Sequence, residues 1–392
     1  MKYWRGYLTA AILAFFTWAL ATFGKNHTLL IDRVYPYVTR LVQTMLADWS
    51  ADVTFCLWQL VAILLIVVVL ASFVIFIVMK WNLIQWLGWV LTGATLLAFL
   101  HTAMYGLNSY AGPLAEDIRL EVTDYTLQEL EEATTYYRDK ANELSGKISR
   151  DADGKPLFSD FETLANQAGE GFQSLVYDRH MAVFAGSTAP VKQLDWADMY
   201  SSMQITGFTL SLTGEAAVNP QMPVVGMPFT MCHEMAHRMC IAIERDANFA
   251  AFLACDANES VEFQYSAYFS AYRYCYNSLV ELNATQAVQR VSAGVGDLLR
   301  QDLADYREFF LERKDEKAEK VAETINDSYI KVNGDERGTA SYGDVTHLLV
   351  SWYIQEQVLP TQTEDEAEFD PYDEDWVFAT VPTEPVEEEK HE

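Results

Sequence analysis

The sequence predicts a mainly α-helical protein, with three N-terminal transmembrane helices followed by one helical domain that carries a small β-sheet. Three observations lead there. Two long N-terminal stretches carry no Asp, Glu, Lys or Arg, an H-E-x-x-H pattern lies on an apolar helical segment at 233–237, and capped amphipathic segments surround a single Gly-, Thr- and Ser-rich stretch.

Residues 54 to 79 have no charge between Asp52 and Lys80, and 83 to 105 form a second apolar run in which His101 is the one titratable group of its kind. About 20 apolar residues cross a hydrocarbon core, so each run predicts a span. Residues 6 to 24 form a third. Lys2 and Arg5 precede it and Ala19-x-Ala21 resembles a cleavage site, so a signal peptide competes with the retained helix that we favour. Either way the chain leaves the last span on the outer side. Lys2, Arg5 and Lys80 fit that orientation, whereas Lys25, Arg33 and Arg40 in the first loop oppose it. His101 is expected near the interface or packed between helices.

Charge narrows the function classes. Residues 1 to 110 hold six Lys or Arg against three Asp or Glu, so of the net −28 the remaining 282 residues carry −31. Phosphate attraction needs the opposite sign, which argues against a nucleic-acid partner. From 361 onward thirteen Asp or Glu face one Lys, the composition of a disordered acidic tail at 359–392. Residues 1–110 then form the membrane region and 111–358 the main domain.

Within that domain, Thr126 to Glu129 reads as a capping box with a Tyr125/Leu130 staple, opening a helix from about 127 to 146. Gly154-Lys-Pro156 breaks the chain before a helix at 159–178. The stretch Gln204 to Leu212 is the best strand candidate. Tyr- and Phe-rich 259–282 predicts a core-packing aromatic helix face, followed by helices at 285–313, 315–331 and 343–356 around a turn at Asn333-Gly334. The cysteines at 232, 240, 255 and 275 form no C-x-x-C pair and are read as packing residues, Cys255 with Cys275 being the first disulfide to test outside the cytoplasm.

Residues 229 to 248 carry the chemistry. His233 and His237 are four apart, so on a helix they project from one face about 6 Å apart, a separation that one tetrahedral Zn²⁺ bridges. Glu234 points beside the ion, placed to take a proton from a metal-activated water. Pro228 opens the helix, and Met231, Met235, Ala236 and Met239 give it an apolar side. A catalytic site needs a third ligand, and Glu244, Asp246 and Asp256 are the acidic candidates downstream. Glu244 is seven residues past His237, about 10.5 Å along an unbroken helix, so the helix must turn between Met239 and Ile243.

Glu244-x-x-Ala247-Asn248 resembles the E-x-x-A-[D/N] element that supplies a glutamate ligand in several H-E-x-x-H metallopeptidase families. A wider set of residues, including Thr213-Gly214-Glu215-Ala216, Asn219-Pro220, Pro228-Phe229-Thr230, Tyr265-Ser266 with Tyr268, Asn326 to Gly334 and Gly338-x-x-Ser341-Tyr342-Gly343, resembles a domain-of-unknown-function family of bacterial membrane proteins grouped with zincin-like metallopeptidases. The resemblance covers roughly residues 1 to 355. It implies three membrane helices followed by one helical, zincin-like catalytic domain, with Glu244 joining His233 and His237 as metal ligands and Glu234 as general base. The sequence departs from the pattern at Cys240, where glycine is expected to let the chain turn. Tyr342 and His347 are candidate donors to a tetrahedral oxyanion.

The expected activity is a membrane-anchored zinc peptidase acting on a peptide or protein. The rival is a membrane sensor or scaffold whose metal orders its helices. A calcium-binding surface protein fits the acidity but lacks a D-x-[DN]-x-[DN]-G loop.

Overall fold

The computed structural model describes residues 4–80, 82–332 and 345–359, so Tyr342, the turn at 333–334 and the acidic tail lie outside the described residues. Apolar runs become helices where predicted: α1 (Arg5–Asn26), α3 (Leu57–Val78) and α4 (Leu83–Met104). All three are long and apolar enough to cross a membrane, and few of their residues are buried by the rest of the chain.

Small residues set how these helices pack. The Gly6 backbone lies against Gly88, where a Cβ would not fit, and Thr92 donates to the Gly6 carbonyl at 2.8 Å. Gly24, eighteen residues on, touches Leu107 and Tyr110 beyond α4, so α1 and α4 run parallel. A tight turn with Lys80 at positive φ and Asn82 capping α4 makes α3 antiparallel to α4. Arg5 and Lys80 therefore sit at one end of the bundle, and the rest of the protein grows from the other.

The predicted first loop is instead a helix, α2 (Thr28–Ser50), separated from α1 by His27 alone. Its charges and Pro36 disguise two faces. Ile31, Thr39, Arg40, Gln43, Ala47 and Ser50 are buried against the main domain, while Leu30, Val34, Tyr37, Val38, Leu41, Met45 and Trp49 are exposed.

After the short helix α5 (Leu114–Asp117), α6 (Leu127–Ser145) starts at the predicted capping box: Glu129 N–H donates to the Thr126 hydroxyl, and Thr126 N–H to the Glu129 carboxylate. Next come α7 (Phe161–Tyr177), β1 (Lys192–Gln193), α8 (Ala197–Ser202), β2 (Gly207–Leu210), β3 (Glu215–Val218), α9 (Met227–Arg238), α10 (Glu244–Asp256) and α11 (Val261–Glu281). The predicted 285–313 helix is split into α12 (Thr285–Ala293) and α13 (Asp297–Arg313), because two glycines at 294 and 296 end one and precede the other. Helices α14 (Glu316–Val332) and α15 (Val345–Tyr353) follow.

The core lies between α6, α7, α9, α10, α11 and α15. Ten consecutive residues of α10, Asp246 to Cys255, are buried, and α11 contributes Phe263, Tyr265, Phe269 and Tyr272 as the aromatic face that the sequence suggested. All five cysteines are buried free thiols, Cys255 and Cys275 included.

The sheet has the order β1-β3-β2, parallel on one side and antiparallel on the other. The predicted 204–212 strand shortens to β2 because Leu210 begins the turn into β3. That turn is seated on α2. Gly214 has φ +68 and touches the α2 backbone at Gln43 and Ala47, while Gln43 donates to the Ser211 carbonyl at 2.8 Å. His101 of α4 meets the Ser211 hydroxyl at 3.1 Å. Glu215 then accepts the Leu57 and Trp58 N–H groups, both at 2.8 Å, capping α3, and pairs with buried Lys192 at 2.6 Å. Two of the motif residues that carried the resemblance, Gly214 and Glu215, thus fasten the sheet to the apolar helices.

Removing the charge of Glu215 leaves Lys192 buried without its counter-ion. Glu215→Gln is expected to cost about 3–5 kcal/mol, read as a large fall in the thermal midpoint of the full-length protein in detergent. An unchanged midpoint contradicts this joint.

Candidate metal centre

Helix α9 begins with Pro228 in its first turn, where a missing N–H costs nothing, and the next free N–H, that of Phe229, donates to the Ser266 hydroxyl of α11 at 3.1 Å. Met231, Met235 and Ala236 are fully buried, which turns His233 and His237 to the opposite, partly open side.

One residue past His237, at Arg238, the helix stops. Cys240 N–H donates to the His237 carbonyl at 2.9 Å, and Ile241 N–H to the Ala236 carbonyl at 3.1 Å, the paired bonds of a Schellman ending. This ending requires a left-handed residue, and Cys240 takes φ +71 without being glycine. The strain has a visible return. The reversal brings the Ile241 carbonyl to 2.9 Å from His237 Nδ1, and it lets α10 start at Glu244 against the two imidazoles.

The result is a cluster of three atoms within 4.8 Å of one another. His233 and His237 Nε2 are 3.1 Å apart, and Glu244 Oε2 lies 3.4 Å from the first and 3.6 Å from the second. A carbonyl can only accept, so His237 Nδ1 carries a proton and its Nε2 faces the cluster. His233 Nδ1 is buried with no hydrogen-bond partner among the described residues. Burial pushes the Glu244 carboxyl up, but the His237 and His233 imidazoles outweigh it and hold the group far below the usual range. Burial likewise draws His237 down, while the Glu244 carboxylate outweighs it and lifts the imidazole to about 9. The cluster thus attracts positive charge.

Among the downstream candidates, the fold separates Glu244 from its rivals. Asp246 points away, accepting from Leu114 N–H at 3.1 Å and Arg245 at 2.8 Å. Asp256, at the far end of α10, is held by Tyr268. His347 packs at a tilt against Tyr125, with ring centres 4.6 Å apart, and is not in the cluster.

Glu234 stands beside the three donors, buried to 5% exposure. Burial raises its pKa, an effect that the nearby imidazoles oppose. Two residues that sequence reasoning did not single out shape its surroundings. The Thr209 hydroxyl is 2.7 Å from Glu234 Oε2, and the Gly207 backbone presses on the carboxylate so closely that a Cβ would collide with it. Both belong to β2. Only strand alternation could have signalled them, since neither is near the motif in sequence.

The turn after α9 is fixed from outside. Arg40 of α2 donates through Nε to the Met239 carbonyl at 3.0 Å, and the Cys240 thiol lies against Thr39 and Asn108. Arg238, lowered to about 10 by burial, donates to the Ser187 and Ala189 carbonyls.

A family model described as "Protein of unknown function (DUF3810)" matches residues 31–350. The chain belongs to the DUF3810 family. No curated protein and no solved structure matches it. The matched stretch of the DUF3810 chain runs from α2 to α15, so it contains both the H-E-x-x-H helix and the face of α2 that clamps the turn behind it.

Because φ at Cys240 is left-handed, glycine is tolerated there and a β-branched residue is not. Cys240→Gly is expected to keep stability within about 1 kcal/mol, relieved strain offsetting the lost thiol packing. Cys240→Val is expected to lose about 2 kcal/mol or more. Chemical denaturation of both variants checks the contrast, and equal stability of the two contradicts the turn.

Proposed function

We propose that this protein is a membrane-anchored, zinc-dependent metallopeptidase of zincin-like type, with His233, His237 and Glu244 as ligands and Glu234 as general base. The observation that carries the reading is the spacing of the three donor atoms. A tetrahedral ion with bonds of about 2.0–2.2 Å sets its ligand atoms about 3.3–3.6 Å apart, and the separations here are 3.1, 3.4 and 3.6 Å. Two nitrogens and one carboxylate oxygen are a donor set typical of hydrolytic zinc, and three protein ligands leave a position for solvent.

When bound, a zinc ion supplies Lewis acidity to a scissile carbonyl and lowers the pKa of water to about 7. The chain's own residues supply the rest. The Ile241 carbonyl fixes the His237 ring and its tautomer. Glu234, its pKa raised by burial, is suited to accept a proton from water and pass it to the leaving amine, while Thr209 orients its carboxylate. The free edge of β2 offers main-chain groups to an extended peptide. The Thr206 carbonyl accepts from Asn219 N–H in register with β3, so by alternation Gly207 and Thr209 turn theirs outward, next to Glu234.

The three apolar helices support a multi-pass arrangement in a bacterial membrane. Arg5 and Lys80 at the far end favour that end as the cytoplasmic one, placing the main domain outside. Arg40, which opposed this orientation in sequence, is 8% exposed and spent on domain carbonyls.

A second reading has one observation in its favour. The side chains of His233, His237 and Glu244 are only 15%, 13% and 13% exposed, as suits a metal that orders α9 and α10 without catalysis.

The full-length protein, purified in detergent, is expected to hold one zinc per chain by elemental analysis, and His233→Ala or His237→Ala to lose it. Glu234→Gln is expected to keep the metal while hydrolysis of a denatured-protein substrate falls about 10²-fold or more. Metal retained in both histidine variants rules out the site. Hydrolysis unaffected by Glu234→Gln removes the catalytic role.

A further inference from the structure

The exposed face of α2 is largely apolar, interrupted by Arg33 near its start and by Asp48, which accepts from the Ser187 hydroxyl at 2.6 Å. Leu30, Val34, Tyr37, Val38, Leu41, Met45 and Trp49 recur at the spacing of one helix side, and Leu41, Met45 and Trp49 are 62%, 65% and 70% exposed. The opposite side is committed to the main domain through Arg40, Gln43 and Ala47. Such a helix has no reason to leave this stripe in water. What covers it follows from its connections. One residue, His27, separates α2 from α1, and Cys56, the residue before α3, lies six residues past its end, so both ends of α2 are tied to helices of membrane-crossing length at the same end of the bundle.

The edge strand beside Glu234 is fixed at that same level. Phe208 of β2 packs on Trp58, in the first turn of α3, with ring centres 5.3 Å apart. Ser211, one residue beyond β2, meets His101 in the last turn of α4, and Glu215 of β3 caps the start of α3. The ends of two membrane-length helices, α3 and α4, therefore flank the β2–β3 hairpin.

We propose that α2 lies in the membrane interface with its apolar stripe in lipid, and that this fixes the β2 edge at the bilayer surface, so that the site takes the segment of a membrane protein immediately adjoining its span. The lipid half stands on the fold alone, and the substrate half rests on the peptidase reading. An amphipathic helix of this kind buries its apolar face about 5–10 Å into the boundary between headgroups and acyl chains. Both α2 and the strand edge then sit at one depth, with Trp49 and Trp58 at the level that tryptophan prefers. A peptide pairing with Gly207 and Thr209 has to arrive along the membrane surface. Arg40 ties the two halves together, since the same helix that rests on lipid holds the Met239 carbonyl in the turn behind His237.

The test uses the full-length protein in lipid nanodiscs. Because the five native cysteines are buried, a thiol-reactive fluorophore reports single introduced sites: Leu41→Cys and Met45→Cys on the stripe, Tyr177→Cys and Leu311→Cys as exposed controls on the main domain. Lipids carrying a shallow acyl-chain quencher are expected to quench the two stripe labels several-fold more than the controls. Equal quenching overturns the placement of α2. A single-span reporter protein then carries a cleavable unstructured segment either directly beside its span or beyond a rigid helical spacer of about 30 residues, about 45 Å. Cleavage beside the span at least tenfold faster supports the proposal, and equal rates overturn it. If neither reporter is cut, the peptidase reading fails and the substrate assignment falls with it, while the quenching profile still distinguishes that failure from a misplaced α2.

Discussion

Two imidazole Nε2 atoms and a carboxylate oxygen face a common centre, an arrangement that is favourable only when positive charge, a proton or a cation, lies among them. That constraint organises the main domain. The Nε2 of His237 is aimed inward by the Ile241 carbonyl, which is in reach only because the chain reverses at Cys240. A helix continuing past His237 would carry Glu244 about 10.5 Å away and expose the Ile241 carbonyl to its own helical partner. The left-handed residue, the abrupt helix end and the convergence of three donors are one structural decision.

Holding that decision in place takes elements distant in sequence. Arg238 and Met239, at the end of α9, are gripped by the 187–189 segment and by Arg40 of α2 respectively. Buried cations bonded to carbonyls are costly to desolvate and tolerable only when well satisfied. Two of them flank the strained residue, and their positions suit the partial negative charge of the α9 C-terminus. The energy of packing α2 and the core thus offsets the strain that the site requires.

What was legible in the sequence follows the range of the interaction. The i, i+4 histidines, the capping box at Thr126 and the three apolar runs are local, and each appears within two or three residues of its expected bounds. The break after His237 was legible too, because geometry forbade a straight helix from bringing Glu244 back. Helix α2 was misread as a loop: Asp32, Arg33, Pro36 and Arg40 break the apolar run, and the stripe emerges only once the buried polar face is recognised as bonding to another part of the chain. Gly207 and Thr209 were illegible for the same reason. Their meaning depends on a contact about 25 residues away, between a strand edge and a helix, which no local periodicity encodes.

The family motif residues outside the H-E-x-x-H helix sharpen this point. Gly214 and Glu215 touch no donor of the cluster, yet one seats the hairpin on α2 and the other caps α3. Ser266 closes the first turn of α9 from α11. Each fixes an element that carries or faces the site: the hairpin, the apolar helix α3 and the H-E-x-x-H helix α9. Placing Thr209 at 2.7 Å from Glu234 requires β2 and α9 to be located to within a fraction of an ångström, and the β2–β3 hairpin gets that location from the ends of α2, α3 and α4. The His/Glu cluster and the apolar N-terminal helices are therefore not separable modules of this fold, and the structural unit that holds the cluster reaches back to α2.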